Sequence, residues 1–430
     1  MLRGFSQEPD MAFYKAVTLV VGGFCLALVA IPYDRPSVYF MSASCFSVLL
    51  VAYLAARFSP ASLSWQRHTA DRVFDGDEVK VEISLTNRAR LPRFLVTVED
   101  TLSPWLETDT LPRFLLPVLW PGQEVTLSYQ ARARRRGLLQ LGPLQVTSGD
   151  PLGLITRRRS FPALSQALVY PRPVELGARE TGGRDLYGTL LSRESGAARE
   201  GLEFYGVRDY QPGDDLKHVH WKATARHGRL NVIEFEQDPS PEATLVLDLQ
   251  HGTEVGHDIH TTLEYGVKIV ASLASHMLHR GGRLSFEARD GSQRYHLEVR
   301  RLDHLFQLYE LLALAKADGP QPVSHLVSEV SRDLRPGASL TVITPALTPM
   351  LANQLYGLFP RRVEMEVILL EADSFDGPRG PTPARREQIR ALAEELETAG
   401  VAVTRVRRQD DLGEVLRSSN GGARRLPSRF

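Results

Sequence analysis

The chain has 430 residues, 43% hydrophobic and 24% charged, a composition that supports two or three folded domains and excludes a disordered or fibrous chain. Its 51 basic and 51 acidic residues cancel, so the basic excess of a phosphate-binding surface is missing and nothing points to nucleic acid. The only cysteines, Cys25 and Cys45, lie in apolar N-terminal segments, which leaves the remaining chain without a disulfide or a thiolate metal site and fits a reducing compartment.

Phe13 to Ile31 and Val38 to Ala56 are apolar runs, with Lys15 the only charge in the pair. Each is about 19 residues long, close to the ~20 needed to cross a hydrocarbon core. Pro32-Tyr33-Asp34-Arg35-Pro36-Ser37 between them is turn-forming, so residues 1–60 predict a transmembrane helical hairpin (about 13–31 and 38–56). A cleaved signal peptide would explain one such segment but not two in succession. Arg3, Lys15, Arg57 and Arg67 flank the hairpin against Arg35 in the connector. The positive-inside rule therefore predicts a multi-pass protein with both termini and the soluble body in the cytoplasm.

Residues 64–170 alternate with period two. Val79-Lys80-Val81-Glu82-Ile83-Ser84-Leu85, Leu95-Val96-Thr97-Val98 and Glu124-Val125-Thr126-Leu127-Ser128-Tyr129 read as half-buried strands separated by turns such as Asp75-Gly76-Asp77 and Pro121-Gly122. This predicts a β-sandwich spacer. Residues 171–200 (ELGARETGGRD, RESGAARE) lack hydrophobic periodicity and read as a flexible linker, and 201–240 form a separate motif segment. Residues 241–406 then alternate strand and helix. Strands are predicted at Ala243–Asp248, Leu284–Ala288, Leu340–Thr344, Val363–Leu370 and Val401–Val406. Helices are predicted at Ile259–His279, Leu302–Lys316, Met350–Leu358 and Ala384–Ala399, the pattern of a doubly wound α/β sheet. Residues 407–430 read as a frayed tail.

The densest run of rare residues is Gly201 to Asn231, GLEFYGVRDYQPGDDLKHVHWKATARHGRLN. Phe204, Gly206, Val207, Arg208, Tyr210, Gly213, Asp214, Trp221, Ala225 and Arg226 follow the hallmark F-x-G-[LV]-R-x-Y-x-x-G-D-x-x-x-x-I-x-W-x-x-x-A-R, with Val219 at the isoleucine position. The segment resembles the bacterial family catalogued as domain of unknown function 58. The helical hairpin, the β-rich part ending in Gly149-Asp150-Pro151-Leu152-Gly153-Leu154 and the C-terminal α/β part follow that family's layout. The resemblance implies a von Willebrand factor type A-like domain in the bacterial inner membrane. It also implies a MoxR-type AAA+ ATPase as partner, with a transglutaminase-like membrane protein as a second candidate. On this basis the chain is expected to be a membrane-anchored, non-enzymatic scaffold in protein assembly or cell-envelope processes.

Read physically, Gln211-Pro212-Gly213-Asp214-Asp215 is a turn, with proline fixing φ and aspartate bonding local backbone N–H groups. Trp221 offers a large apolar anchor, and Arg208, Lys222 and Arg226 offer cations for Asp209, Asp214 and Asp215. The cluster Phe204, Gly206, Arg208, Tyr210, Gly213, Asp214, Asp215, His218, His220, Trp221, Lys222 and Arg226 is either an internal network or a partner-docking surface. A zinc hydrolase built on Asp214, Asp215, His218 and His220 is the first alternative, since an H-x-H pair on a strand puts both rings on one face. A Mg²⁺-dependent adhesion module is the second. Its Asp-x-Ser-x-Ser run corresponds to Asp248-Leu249-Gln250-His251-Gly252, and Thr344-Pro345-Ala346 ends the later strand. The hydroxyls are missing at Gln250 and Gly252 and no Asp stands at Thr344, so the site reads as degenerate and no cofactor is expected. No G-x-S-x-G, H-E-x-x-H, Walker or dinucleotide-binding run occurs.

Overall fold

The computed structural model describes residues 11–33, 35–57, 63–162, 165–176, 203–210, 219–236, 242–375 and 382–418. Two compact units divide at Tyr170 and Pro171.

In the first unit, α1 (Met11–Tyr33) and α2 (Pro36–Arg57) pack side by side, with Phe24 meeting Phe46 edge-on at 5.4 Å and Ser42 Oγ donating to the Gly23 carbonyl at 2.9 Å. Both are long and apolar enough to cross a membrane, and only 11% of each apolar window is buried within the protein. Phe13, Leu28, Ile31, Phe40 and Leu50 all face outward.

Eleven strands follow: β1 (Leu63–Thr69), β2 (Arg72–Phe74), β3 (Glu78–Asn87), β4 (Arg93–Asp100), β5 (Leu106–Glu107), β6 (Arg113–Leu119), β7 (Glu124–Ala133), β8 (Gly137–Leu141), β9 (Leu144–Gly149), β10 (Thr156–Phe161) and β11 (Ser165–Tyr170). Sheet β1-β3-β7-β5 and sheet β10-β9-β4-β6 are antiparallel, and β2-β11-β8 form a small mixed sheet. The alternation read from the sequence is realised: Val79, Val81, Ile83 and Leu85 of β3 join Val96 and Val98 of β4 and Leu144 and Val146 of β9 in one core. The arrangement is sandwich-like, with side chains of both four-stranded sheets interdigitating.

Arg67, read from the sequence as a charge flanking the helices, is buried instead. Its guanidinium lies 2.5 Å from Asp100 Oδ1 with both side chains almost fully enclosed, and it donates to the Leu141 carbonyl at 3.0 Å. The Tyr129 hydroxyl donates to Asp100 Oδ2 at 2.7 Å. Burial, followed by the neighbouring Asp100 charge, pushes the Tyr129 phenol far above its ordinary value. Arg67 therefore closes a core network.

The Gly149–Leu154 turn is organised by one carboxylate. Asp150, fully buried, accepts from the backbone N–H of Leu152 (2.8 Å), Leu154 (2.7 Å) and Ile155 (2.7 Å). A Cβ at Gly149 would stand 3.0 Å from the Ile155 carbonyl, so glycine is needed where the loop closes on itself. Asp150→Ala leaves these donors unpaired and should destabilise the β unit by roughly 2–4 kcal/mol, with Asp150→Asn milder. Denaturation followed by fluorescence of Trp65 and Trp105, which pack on this core, checks it. An unchanged midpoint for Asp150→Ala would contradict the assignment.

In the second unit, β12 (Glu203–Asp209) and β13 (Asn231–Glu236) form an antiparallel pair with a bulge between Phe204 and Gly206, and α3 (Trp221–His227) precedes β13. The main sheet contains β14 (Glu242–Leu247), β17 (Arg283–Arg289), β18 (Arg294–Val299), β19 (Ser339–Thr344), β20 (Glu364–Leu370) and β21 (Ala402–Val406) in the order β18-β17-β14-β19-β20-β21. All neighbours are parallel except the β17–β18 hairpin. A minor pair, β15 (Gly256–His257) and β16 (His260–Thr261), leads into α4 (Thr262–His279). The other helices are α5 (Leu302–Leu314), α6 (Val323–Asp333), α7 (Pro349–Tyr356), α8 (Pro383–Ala399) and α9 (Leu412–Ser418). Side chains of α6, α7 and α8 share a core with Val246, Leu340, Val342 and Val367 on one face. On the other, α4 lies so close that a Cβ at Gly266 would stand 3.0 Å from Leu247 Cδ1. Both faces are covered, as a largely parallel sheet requires.

The linker read at 171–200 lies outside the described residues from 177 onward. The tail differs from the sequence reading: Leu412–Ser418 is a helix with Leu412 and Leu416 buried, because the Asp411 carboxylate accepts from the Gly413 N–H at 2.8 Å and starts a turn. Within residues 241–406, α6, the antiparallel strand β18 and the short pair β15–β16 were not anticipated, and the helix expected from Ile259 starts at Thr262 because β16 occupies His260–Thr261.

Candidate functional site

The motif builds a local scaffold from its backbone. Gly206, Val207, Arg208 and Asp209 pair with Glu234, Ile233, Val232 and Asn231. Phe204, Gly206 and Arg208 thus sit on β12. Tyr210 follows, half-buried, its N–H donating to the Leu230 carbonyl at 2.8 Å. Val219 bridges to Val232, both 5% exposed, and the His220 N–H donates to the Asn231 carbonyl at 2.8 Å. His220 therefore stands in a short link between that bridge and α3 rather than within a regular strand. Gly213, Asp214, Asp215 and His218 lie outside the described residues, so the H-x-H geometry rests on sequence alone.

As the first residue of α3, Trp221 is 68% exposed, and Lys222 and Arg226 on the same helix are also exposed, an arrangement that fits the docking alternative of the sequence reading. The anchoring is done by residues the sequence reading passed over. The Asn231 N–H donates to Thr224 Oγ1 at 3.0 Å, and Asn231 Nδ2 donates to the Arg229 carbonyl at 2.8 Å. Thr224 also accepts from Gly228, whose φ of +67° lets the chain turn from α3 into β13.

The second candidate lies at the carboxyl ends of the sheet strands. β14 has β17 on one side and β19 on the other, the switch point where ligands of open α/β sheets gather. Asp248 follows β14 there. Its Oδ2 accepts from Thr344 Oγ1 at 2.7 Å, and its Oδ1 accepts from the Gln250 N–H at 3.0 Å. The Thr344 hydroxyl stands at the end of β19 and also accepts from the Ala346 N–H at 3.0 Å. Burial pushes the Asp248 carboxyl above its ordinary value, against the pull of Thr344 and Gln250. The Gln250 bond makes Asp248 a cap on the loop that follows β14. Gly252, with φ +81°, closes the turn.

Beside Asp248, a recess is lined by Leu249, Arg289, Gln321 and Leu326. Arg289 reaches Gln321 Oε1 and donates to Glu329 at 2.7 Å. Arg294 joins Glu329 (2.9 Å) and the buried Glu287 (3.1 Å), and Glu287 also meets His296 Nδ1 at 2.5 Å. Glu287 faces His296 across the β17–β18 ladder, a cross-strand pairing that requires the hairpin to be known. Among the described residues no group of three or more His, Cys, Asp or Glu side chains is placed to hold a metal.

Residues 206–354 match the family described as protein of unknown function DUF58. The uncharacterised protein YeaD of Bacillus subtilis is 26% identical over 286 residues, covering 64% of this chain and 67% of the relative. Among solved structures, an Escherichia coli alpha-2-macroglobulin fragment matches at 15% identity and a TM-score of 0.22, over 33% of this chain and 26% of its own. A Pyrococcus furiosus CARDB domain matches at 14% identity and a TM-score of 0.18, over 25% of this chain and 91% of its own. The chain spans about a quarter of the macroglobulin fragment, and at these TM-scores neither likeness carries a fold.

A carboxyl held above its ordinary value in the folded state favours folding below the unfolded pKa, about 3.9 for Asp, and loses that contribution as pH rises through the folded value. Asp248→Asn cannot titrate. Its unfolding midpoint should therefore gain on the natural chain as pH rises from about 4 towards neutrality. A thermal series across that range checks it; a pH-independent difference would contradict it.

Proposed function

We propose that this protein is a non-enzymatic scaffold, held in the bacterial inner membrane by α1 and α2 with its body in the cytoplasm. The α/β unit is a type A-like domain, and its partner is a MoxR-type AAA+ ATPase. Numbering the strands of the main sheet in chain order gives 3-2-1-4-5-6 with the third antiparallel, which supports the type A reading. The family resemblance supports the ATPase and, more distantly, a transglutaminase-like membrane protein. Arg3, Lys15 and Arg57 outside the hairpin, against Arg35 alone in the connector, support the orientation.

The observation that carries the scaffold reading is Trp221. A tryptophan left 68% exposed at the start of α3, with the exposed Arg226 on the same helix, is the kind of aromatic and guanidinium pair that protein interfaces concentrate. At the switch point, by contrast, the Asp248 carboxylate already accepts from Thr344 and Gln250, which weighs against a Mg²⁺-dependent adhesion role.

Affinity purification from gently solubilised membranes, with and without ATP, tests the reading. The natural chain should retain an AAA+ ATPase, and Trp221→Ala and Asp214→Asn/Asp215→Asn should lose most of it while still folding. A natural chain that retains no ATPase, or that instead holds stoichiometric zinc lost on His218→Ala, would overturn it.

A further inference from the structure

Apart from Leu115 on the face of β6, the most exposed apolar side chains of the β unit lie at its two ends, and only one end joins the helices. There, three separate loops each present one: Leu91 between β3 and β4 (62% exposed), Trp120 between β6 and β7 (60%) and Leu152 between β9 and β10 (60%). The strand registers bring the loops together. Arg93 pairs with Leu119, and Phe94 pairs with both Val118 and Gly149, so the start of β4 and the ends of β6 and β9 meet at one edge of the core. Asn87 ties two of them: its Nδ2 donates to the Leu91 and Leu119 carbonyls at 3.0 and 2.9 Å, and its carbonyl accepts from Gly122 at 2.8 Å. The Asp150 carboxylate shapes the third, holding the Leu152 N–H at 2.8 Å.

Strand β1 begins at this same end, because Leu63 pairs with Asn87. Helix α2 ends at Arg57, so the six steps to Leu63 reach about 20 Å at most. Helix α2 also approaches β9 and β10, the strands that flank the Leu152 loop. Arg88 and Arg90, both exposed, stand in the Leu91 loop. A short tether, a converging apolar triad that includes a tryptophan, and flanking arginines match the membrane interface. Its acyl boundary takes Leu and Trp side chains, and its phosphates attract Arg.

We propose that these three loops form a second, peripheral contact with the bilayer: Leu91, Trp120 and Leu152 enter the interfacial zone while Arg88 and Arg90 face the headgroup phosphates. The contact fixes the β unit against the membrane rather than letting it swing on the tether. It rests on the membrane reading of α1 and α2, and the test separates the two.

The full chain with Cys25→Ala and Cys45→Ala is given one cysteine at a time, labelled with a fluorophore and placed in nanodiscs of phosphatidylcholine and phosphatidylglycerol bearing doxyl groups on the acyl chains. Leu50→Cys reports the helices and Leu152→Cys the proposed tip. Leu111→Cys reports the opposite end of the β unit, where Leu111 is even more open to solvent at 80%. The expected result is loss of fluorescence at positions 50 and 152 but not at 111. Adding Leu91→Ser/Trp120→Ser to the Leu152→Cys chain should restore much of the signal at 152. Quenching at 50 without quenching at 152 overturns the tip while leaving the anchor intact. No quenching at 50 removes the anchor, and the proposal with it.

Discussion

Everything in the first unit follows from apolar surface that the protein does not bury. Helices α1 and α2 touch each other through Phe24, Phe46, Gly23 and Ser42, but the side chains around the rest of both cylinders point outward. In water, each exposed Leu, Ile or Phe forfeits roughly 1.5–3 kcal/mol of burial, a cost that a hydrocarbon surrounding removes. Their backbone N–H and C=O groups are satisfied within the helices, the condition for residing in lipid. On the proposed membrane reading, the helix pair sets where the chain is held, and the short link to Leu63 sets which end of the β unit faces that surface.

The two units solve the problem of irregular backbone in the same way, with a buried polar side chain at a loop. Asp150 gathers three N–H groups of the β9–β10 loop, Asn87 joins the β3–β4 and β6–β7 loops, and Asp248 joins the ends of β14 and β19 through Thr344. Each stands where strands end and the chain must reverse without a ladder partner. The arrangement gives rigid loops on rigid sheets, which suits presentation of surfaces such as Trp221 and Leu152 to partners.

Much of this architecture was legible in the residue pattern. The alternation of Val79 to Leu85 and the stripe Leu263, Val267, Val270, Ala274, Met277 stand out because burial on one face leaves a period in the sequence. Helix α6 was missed although Val323, Leu326, Val327 and Val330 carry helical spacing, because the polar residues between them dilute the run. Strand β18 was missed although Tyr295, Leu297 and Val299 alternate with Arg294, His296 and Glu298, because the run is only six residues long and half of it is polar. The burial of Arg67 depends on Asp100, a partner 33 residues away, and the exposure of Trp221 depends on what packs around α3. Neither long-range fact leaves a local trace. The anchoring roles of Thr224 and Asn231 were hidden for the same reason, since their partners are brought near only by the β12–β13 pairing.

The most direct measurement is extraction of native membranes containing the full chain. The account predicts that the chain stays in the membrane pellet through high salt and alkaline carbonate and is released only by detergent. Release by carbonate alone would mean that α1 and α2 do not reside in the bilayer, and would contradict the anchor on which the functional reading depends.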